Sequence, residues 1–335
     1  MRIIIPMAGR GTRLRPHTLT IPKPLIPVAG KPIIQRLVED LAASYKNDIE
    51  EIAYVVGDFG PDIEQELIRI AENLGARGRI YQQDKALGVG HAIACASESM
   101  EGKCMIAFAD TLFQADFSFD AEEDGVIWTQ KVEDPSSFGV VKLNEQGYIT
   151  EFVEKPSDFI SDLAIVGIYY FREGERLRAA LKHIIDNDIK EKNEYQLTTA
   201  LELLKNNGLR FRTGEITEWL DCGNKDNILH SNARMLEIHR HSDLVSPHAT
   251  VENSVIVPPC FIGDHAVVRN TVIGPFVSVG HHSIVENAVI TDSIIQNQSH
   301  IKNALLHNSM IGNSSRFSGS LDELNLGDYS DCSRR

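Results

Sequence analysis

The chain has 335 residues, 42% of them hydrophobic and 24% charged, with a formal net charge of −14. This length suffices for one large core and a smaller second domain, in a composition ordinary for a soluble globular protein. The acidic balance excludes general nucleic-acid binding, which leaves a basic footprint, and no apolar run is long enough to cross a bilayer.

The first apolar run, Ile3-Ile4-Ile5, is too short for a secretory leader and reads as a buried strand. From there to about residue 230, apolar runs alternate with helical periodicity. Strands are expected over 2–6, 51–56, 104–109, 125–131, 139–143 and 165–171. Helices are expected over 33–44, 61–74, 91–99, 174–188 and 196–206. The alternation predicts an α/β, Rossmann-like fold with a mostly parallel sheet and helices on both faces. Sites in such sheets lie beyond the carboxyl ends of strands, where the glycine loop after Ile5 falls.

After about residue 244 the pattern changes. Aliphatic residues recur every five or six positions, from Val251, Val257, Ile262 and Val268 to Ile301, Leu306 and Ile311. Gly, Asn, Asp, His and small residues fill the intervals. Neither a helix nor an alternating sheet has this period; a solenoid burying one aliphatic corner per step does. The pattern resembles the hexapeptide repeat of left-handed parallel β-helices, which implies coils of about 18 residues and three to four of them. The expected domains are 1–240, 245–317 as the β-helix, and a polar tail over 318–335. The five cysteines, Cys95, Cys104, Cys222, Cys260 and Cys332, show no paired metal spacing and are expected as reduced thiols of a cytoplasmic protein.

The first 38 residues hold seven basic side chains and no acidic one. Gly9 and Gly11 follow the first strand, where backbone N–H groups can approach phosphate oxygens. Arg10, Arg13, Arg15 and Lys23 add positive charge, so a local polyanion site is expected. A third glycine at dinucleotide spacing is missing, as is the Gly-Lys-Ser/Thr of a Walker loop. The full string, Gly9-x-Gly11-Thr12-Arg13-Leu14-x-Pro16 with Pro22-Lys23-Pro24-x-x-Pro27-Val28 and Lys31-Pro32, closely resembles the signature of the sugar-1-phosphate nucleotidyltransferases. Within that family the pattern is most similar to the glucose-1-phosphate thymidylyltransferases.

The resemblance implies an in-line attack of a sugar-1-phosphate oxygen on the α-phosphorus of a nucleoside triphosphate, driven by positioning and charge neutralisation. It assigns Arg13 and Lys23 to the catalytic charge, and Ala8, Gly9, Gly11 and Thr12 to the nucleotide. Gln83, with Gly88 five positions on, resembles the turn that reads a pyrimidine edge; an amide can donate and accept at once. Asp110 and Asp221, the latter in Trp219-Leu-Asp-Cys-Gly223, resemble the two metal-binding aspartates, which implies Mg²⁺. Ala109 stands where family members often have glycine. Gly139, Glu154, Lys155 and Gly167 match the sugar-phosphate half. The segment Asn193-Glu194-Tyr-Gln-Leu-Thr198-Thr199 is a weaker match, with Thr199 where the family frequently has aspartate, and His91 is read as capping or packing on its helix.

UDP-glucose pyrophosphorylases and mannose-1-phosphate guanylyltransferases share much of this pattern and stay open. So does a non-catalytic regulatory subunit, although such relatives lose lysine or aspartate positions that are kept here. An acyltransferase using His265, His281 or His282 of the repeat is a third reading, against which those histidines are polar corner residues. The expected partners are a nucleoside triphosphate and a sugar-1-phosphate, with no nucleic acid and no membrane, in a homo-oligomer.

Overall fold

A computed structural model describes residues 1–45, 49–114 and 119–320. The expected polar tail lies, beyond residue 320, outside the described residues. Contacts divide the chain into two compact units, one of 1–27 with 31–231 and the other of 28–30 with 232–335. Among the described residues no helix is long and apolar enough to cross a membrane.

The first unit opens with β1 (Arg2–Pro6), whose Ile3, Ile4 and Ile5 are fully buried. A strand covered on both faces needs such a continuous run. Then follow α1 (Ile33–Ser44), β2 (Glu51–Val56), α2 (Pro61–Asn73), β3 (Arg77–Gln82), α3 (Val89–Cys95), β4 (Cys104–Ala107) and β5 (Thr111–Gln114). The chain continues through β6 (Gly125–Lys131), β7 (Gly139–Leu143), β8 (Ile149–Glu154), β9 (Leu163–Phe171), α4 (Gly174–Asp186), α5 (Leu197–Asn206), β10 (Phe211–Glu215), β11 (Glu218–Asp221) and α6 (Lys225–Ile238). In α1 the buried Ile33, Ile34, Leu37, Val38 and Leu41 form one stripe at helical spacing. Gly60 and Pro61 start α2 with the residue types that suit those positions.

The main sheet runs β8-β7-β9-β4-β1-β2-β3, with β6 on β9 and β10 on β6. Its first part is parallel: β1 pairs with β2 and β4, and β2 with β3. In the second part β9 returns antiparallel against β4, β6 and β7, while β10 runs parallel to β6. The register of β9 on β6 shifts between Ile165 and Tyr169, a bulge with Gly167 at its middle. A separate ribbon, β5 with β11, pairs Thr111 with Asp221.

In the second unit, short parallel strands stack as the coils of a left-handed β-helix. Equivalent residues lie 17 apart in the first steps and 16 apart in the later ones, against the 18 expected. Of the predicted aliphatic corners, Ile262, Val268, Ile273, Val279, Val285, Ile290, Ile295 and Ile301 are at most 1% exposed, whereas Val251 and Val257, on the first coil, are 40% and 39% exposed. One turn is a ladder: Asn253, Asn270, Asn287 and Asn303 have φ between 47° and 52°, and each amide donates to the next at 2.7, 3.2 and 3.1 Å. Asn tolerates that left-handed backbone better than other non-glycine residues. Another turn stacks His248, His265 and His282, with ring centroids 5.7 and 5.1 Å apart. His281 Nδ1 accepts the Asp264 N–H at 2.9 Å, so these histidines hold turns together. The strand Arg316–Ser318 carries the coils to the edge of the expected tail.

Candidate active site

The loop after β1 leaves the sheet at its carboxyl edge. Met7 N–H still bonds to the Val55 carbonyl at 2.8 Å, and the half-buried Ala8 follows. Gly9 has open space where a side chain would stand. Gly11 has φ +61°, and a Cβ there would lie 2.9 Å from Lys23 Cβ, so the loop needs glycine at this point. Thr18 Oγ1 donates to the Gly11 carbonyl at 2.8 Å and closes the loop. Pro22 and Pro24 flank Lys23 and fix its backbone. Among the described residues no carboxylate pairs with Arg10, Arg13 or Arg15. Gly9, Gly11, Thr12, Arg13, Lys23 and Asp110 together line a cleft of about 370 Å³.

Lys23 Nζ and Asp110 Oδ2 are 2.5 Å apart at the floor of that cleft, the lysine side chain being 13% exposed and the aspartate 37%. Asp110 follows β4, and its carbonyl accepts the Cys222 N–H at 3.0 Å. Asp221 ends β11 directly across from Thr111, so the ribbon sets the two aspartates one step apart. The Asp221 carboxylate accepts from Asn227 Nδ2 and lies 3.0 Å from where a Cβ on Gly223 would be, so glycine leaves room for it. Burial pushes the Cys222 thiol beneath them up to about 12, which keeps it uncharged. A carboxylate on the cleft, Asp110, with a second, Asp221, one ribbon step away suits a hard divalent cation that takes its other ligands from phosphate and water. Among the described residues no third His, Cys, Asp or Glu joins them.

On a second side, Gln83 Nε2 donates to the Gly88 carbonyl at 3.2 Å and lies 3.1 Å from His91 Nδ1. Gly88 has φ +107°, and its missing Cβ would fall 2.6 Å from the Tyr195 carbonyl. Only glycine fits, and Val89 beside it lines the cleft. Burial holds the His91 imidazole below its ordinary range.

On the third side, Gly167 has φ +91° and would strike Phe108 with any side chain, while the Phe108 N–H bonds to the Gly167 carbonyl at 2.9 Å. This ties the bulge of β9 to the strand end that carries Asp110. Glu154 Oε1 is 3.6 Å from Lys155 Nζ, and Lys155 takes a left-handed φ of 43°. A Cβ on Gly139 would meet Glu154 Oε2 at 3.3 Å. Thr198 Oγ1 donates to the same Glu154 oxygen at 3.2 Å, and Phe138 packs edge-on to Trp219 with centroids 4.9 Å apart.

All fourteen expected residues lie in the first unit, and six of them, Gly9, Gly11, Thr12, Arg13, Lys23 and Asp110, line the one cleft. The sequence pattern left out Thr198 and gave His91 no part in the Gln83–Gly88 turn. The signal for Thr198 was its place in the weak 193–199 match; for His91 there was none, since its contact is made across a turn and not along a helix face.

Residues 2–238 match the family described as nucleotidyl transferase, and the chain belongs to it. It is 29% identical over 265 residues to the low-salt glycan biosynthesis nucleotidyltransferase Agl11 of Haloferax volcanii, covering 76% of this chain and 72% of that one. It is 29% identical to the glucose-1-phosphate thymidylyltransferase of Streptomyces griseus, covering 78% of each. It is also 29% identical to the bifunctional protein GlmU of Methanococcus maripaludis, matching 77% of this chain but only 60% of the relative's length. A solved UDP-glucose pyrophosphorylase in complex with UDP-glucose shares the fold, with a TM-score of 0.58 at 22% identity over 71% of this chain and 98% of that one. The chain is a nucleotidyltransferase.

Proposed function

We propose that this member of the nucleotidyl transferase family joins glucose-1-phosphate to dTTP, releasing pyrophosphate. In this reading a sugar-phosphate oxygen forms a bond to the α-phosphorus while the α–β bridging bond breaks, and no protein nucleophile is needed. One observation carries the reading. Arg13, Lys23 and Asp110 line one cleft with Gly9, Gly11 and Thr12, Lys23 is paired to Asp110, and the β5–β11 ribbon sets Asp221 across from Thr111, the residue after Asp110. Arg13 and Lys23 stabilise the charge gathering on the departing pyrophosphate. The Gly9–Gly11 backbone cradles the triphosphate, Gln83 takes the base edge above Gly88, and Glu154 and Lys155 take the sugar hydroxyls and its phosphate. Asp110 and Asp221 would hold Mg²⁺, which supplies positive charge against the triphosphate when bound.

Thymine and uracil present the same edge to Gln83, so dTTP is chosen on likeness to the thymidylyltransferases and UTP is the second reading. The test is a panel of four nucleoside triphosphates against several sugar-1-phosphates, read by pyrophosphate release. Turnover with dTTP or UTP and glucose-1-phosphate is expected. Strong preference for GTP, with Gln83→Ala unchanged, overturns the reading of the base.

A further inference from the structure

The Gln83 amide has two hydrogens and, at this turn, two acceptors. The Gly88 carbonyl can only accept, so it fixes the amide with nitrogen towards it at 3.2 Å. His91 Nδ1 lies 3.1 Å from the same nitrogen and must therefore offer a lone pair, which places the imidazole proton on Nε2. With both hydrogens engaged, the group Gln83 has left for a ligand is Oε1, an acceptor. An acceptor matches the ring N3–H of thymine or uracil and opposes the bare N3 of cytosine. The expectation that this amide donates and accepts toward the base is narrowed accordingly.

We propose that His91 is a positioning residue that, together with the Gly88 carbonyl, holds Gln83 as an acceptor, so that selection of thymine or uracil over cytosine is full only while His91 is neutral. This inference rests on the nucleotide-binding reading of the turn. A proton on Nδ1 would set N–H against N–H. Turning the amide over relieves that clash but points Oε1 at the Gly88 carbonyl, two acceptors in contact, so neither orientation is satisfied. Gly88 cannot move to accommodate it, because Tyr195 closes the space behind.

The surroundings favour the neutral imidazole. It stacks on the Tyr195 ring at 6.4 Å, with the Cys95 thiol 4.0 Å away on the next turn of α3. Tyr195 in turn bonds to Asp188 and lies under Lys190, Glu194 borders Gly88, and Asp84 faces Cys95. Among the described residues no carboxylate pairs with the ring, and burial lowers its affinity for a proton.

The experiment is equilibrium binding of dTTP and dCTP to the full chain by calorimetry between pH 5 and 8, beside turnover with glucose-1-phosphate. Wild type should bind dTTP at least tenfold more tightly than dCTP at pH 8. That preference should shrink as pH falls through the imidazole's range, because the protonated form is the incompetent one. His91→Asn places Oδ1 where Nδ1 stood, and should keep the preference while removing its pH dependence. His91→Leu, checked for folding by its melting temperature, leaves the amide only the Gly88 carbonyl to orient it and should lose part of the preference, about threefold or more at every pH, through KM far more than kcat. An unchanged dTTP/dCTP ratio in His91→Leu overturns the inference, as does an unchanged acid limb in His91→Asn, or wild type binding neither nucleotide. Normal base preference in binding without any nucleotidyl transfer overturns the assigned reaction and leaves the role of His91 standing.

Discussion

Gly88 and Gly167 in the first unit, and Asn253, Asn270, Asn287 and Asn303 in the second, all hold the left-handed backbone that most residues avoid. Their neighbours differ. Gly88 faces Tyr195 and Gly167 faces Phe108, each an unlike residue from a distant part of the chain. Each asparagine faces another asparagine one coil away. The histidines divide likewise: His91 meets Gln83, whereas His265 meets His248 and His282. A positive φ built once, against an unlike partner, sets up a site; a positive φ repeated against its own copies sets up a scaffold. Substitutions in the first unit should therefore act on chemistry before stability, and those in the second the reverse.

The sharpest break between the units is expected at the aspartates. Asp110→Asn and Asp221→Asn keep the size and the strand-end position but remove the charge proposed to hold the cation. Turnover should fall by about 10²–10³-fold, with far-UV circular dichroism unchanged. Normal turnover by Asp110→Asn at saturating substrates would remove the metal assignment.

Gly88→Ala should have the next largest effect. The added methyl would lie 2.6 Å from the Tyr195 carbonyl in a conformation alanine resists, so the turn before α3 must shift. A loss of about 2–3 kcal/mol in transition-state binding, read from kcat/KM, is expected. Gln83→Ala leaves the backbone alone and should cost about 1–3 kcal/mol on the same measure by removing one hydrogen bond to the base. An equal loss with a nucleotide whose base lacks the N3–H would show that the amide does not read that edge.

How far these features could be read in the sequence follows the same division. The loop from Gly9 to Lys23 is local, so its whole string can be matched to the family signature along the chain, which the glycine spacing alone does not allow. The repeat is legible because it recurs, although the coils are 17 and then 16 residues long. Helix α1 matches its predicted span because its apolar stripe is continuous. Helix α6 was missed, since its Asn227, His230, Ser231, Asn232 and Arg234 break up the apolar period. Strand β3, with Arg77, Gly78, Arg79 and Gln82, lies at the edge of the sheet and carries no buried alternation. Strands β5 and β11 are four residues each and are defined by pairing with one another. Thr198 on Glu154 and His91 on Gln83 are contacts between elements, which no periodicity reports.

The smallest effect, and the one that tests the scaffold half of the comparison, is expected at Asn287. Its φ is 52°, its Oδ1 accepts from Asn270 at 3.2 Å and its Nδ2 donates to Asn303 at 3.1 Å. Asn287→Ala imposes a left-handed alanine, at a cost of about 1–2 kcal/mol, and breaks two solvent-exposed rungs worth less. Asn287→Gly breaks the same rungs but accepts the backbone freely, losing only what glycine's extra freedom in the unfolded chain takes away. Melting temperature should therefore fall from wild type to Gly to Ala, with kcat and KM unchanged in all three. If Gly and Ala fall together, the ladder's hydrogen bonds and not its backbone set the stability. If either variant loses turnover while its melting temperature holds, the turn has a role in chemistry and the division between the two units fails.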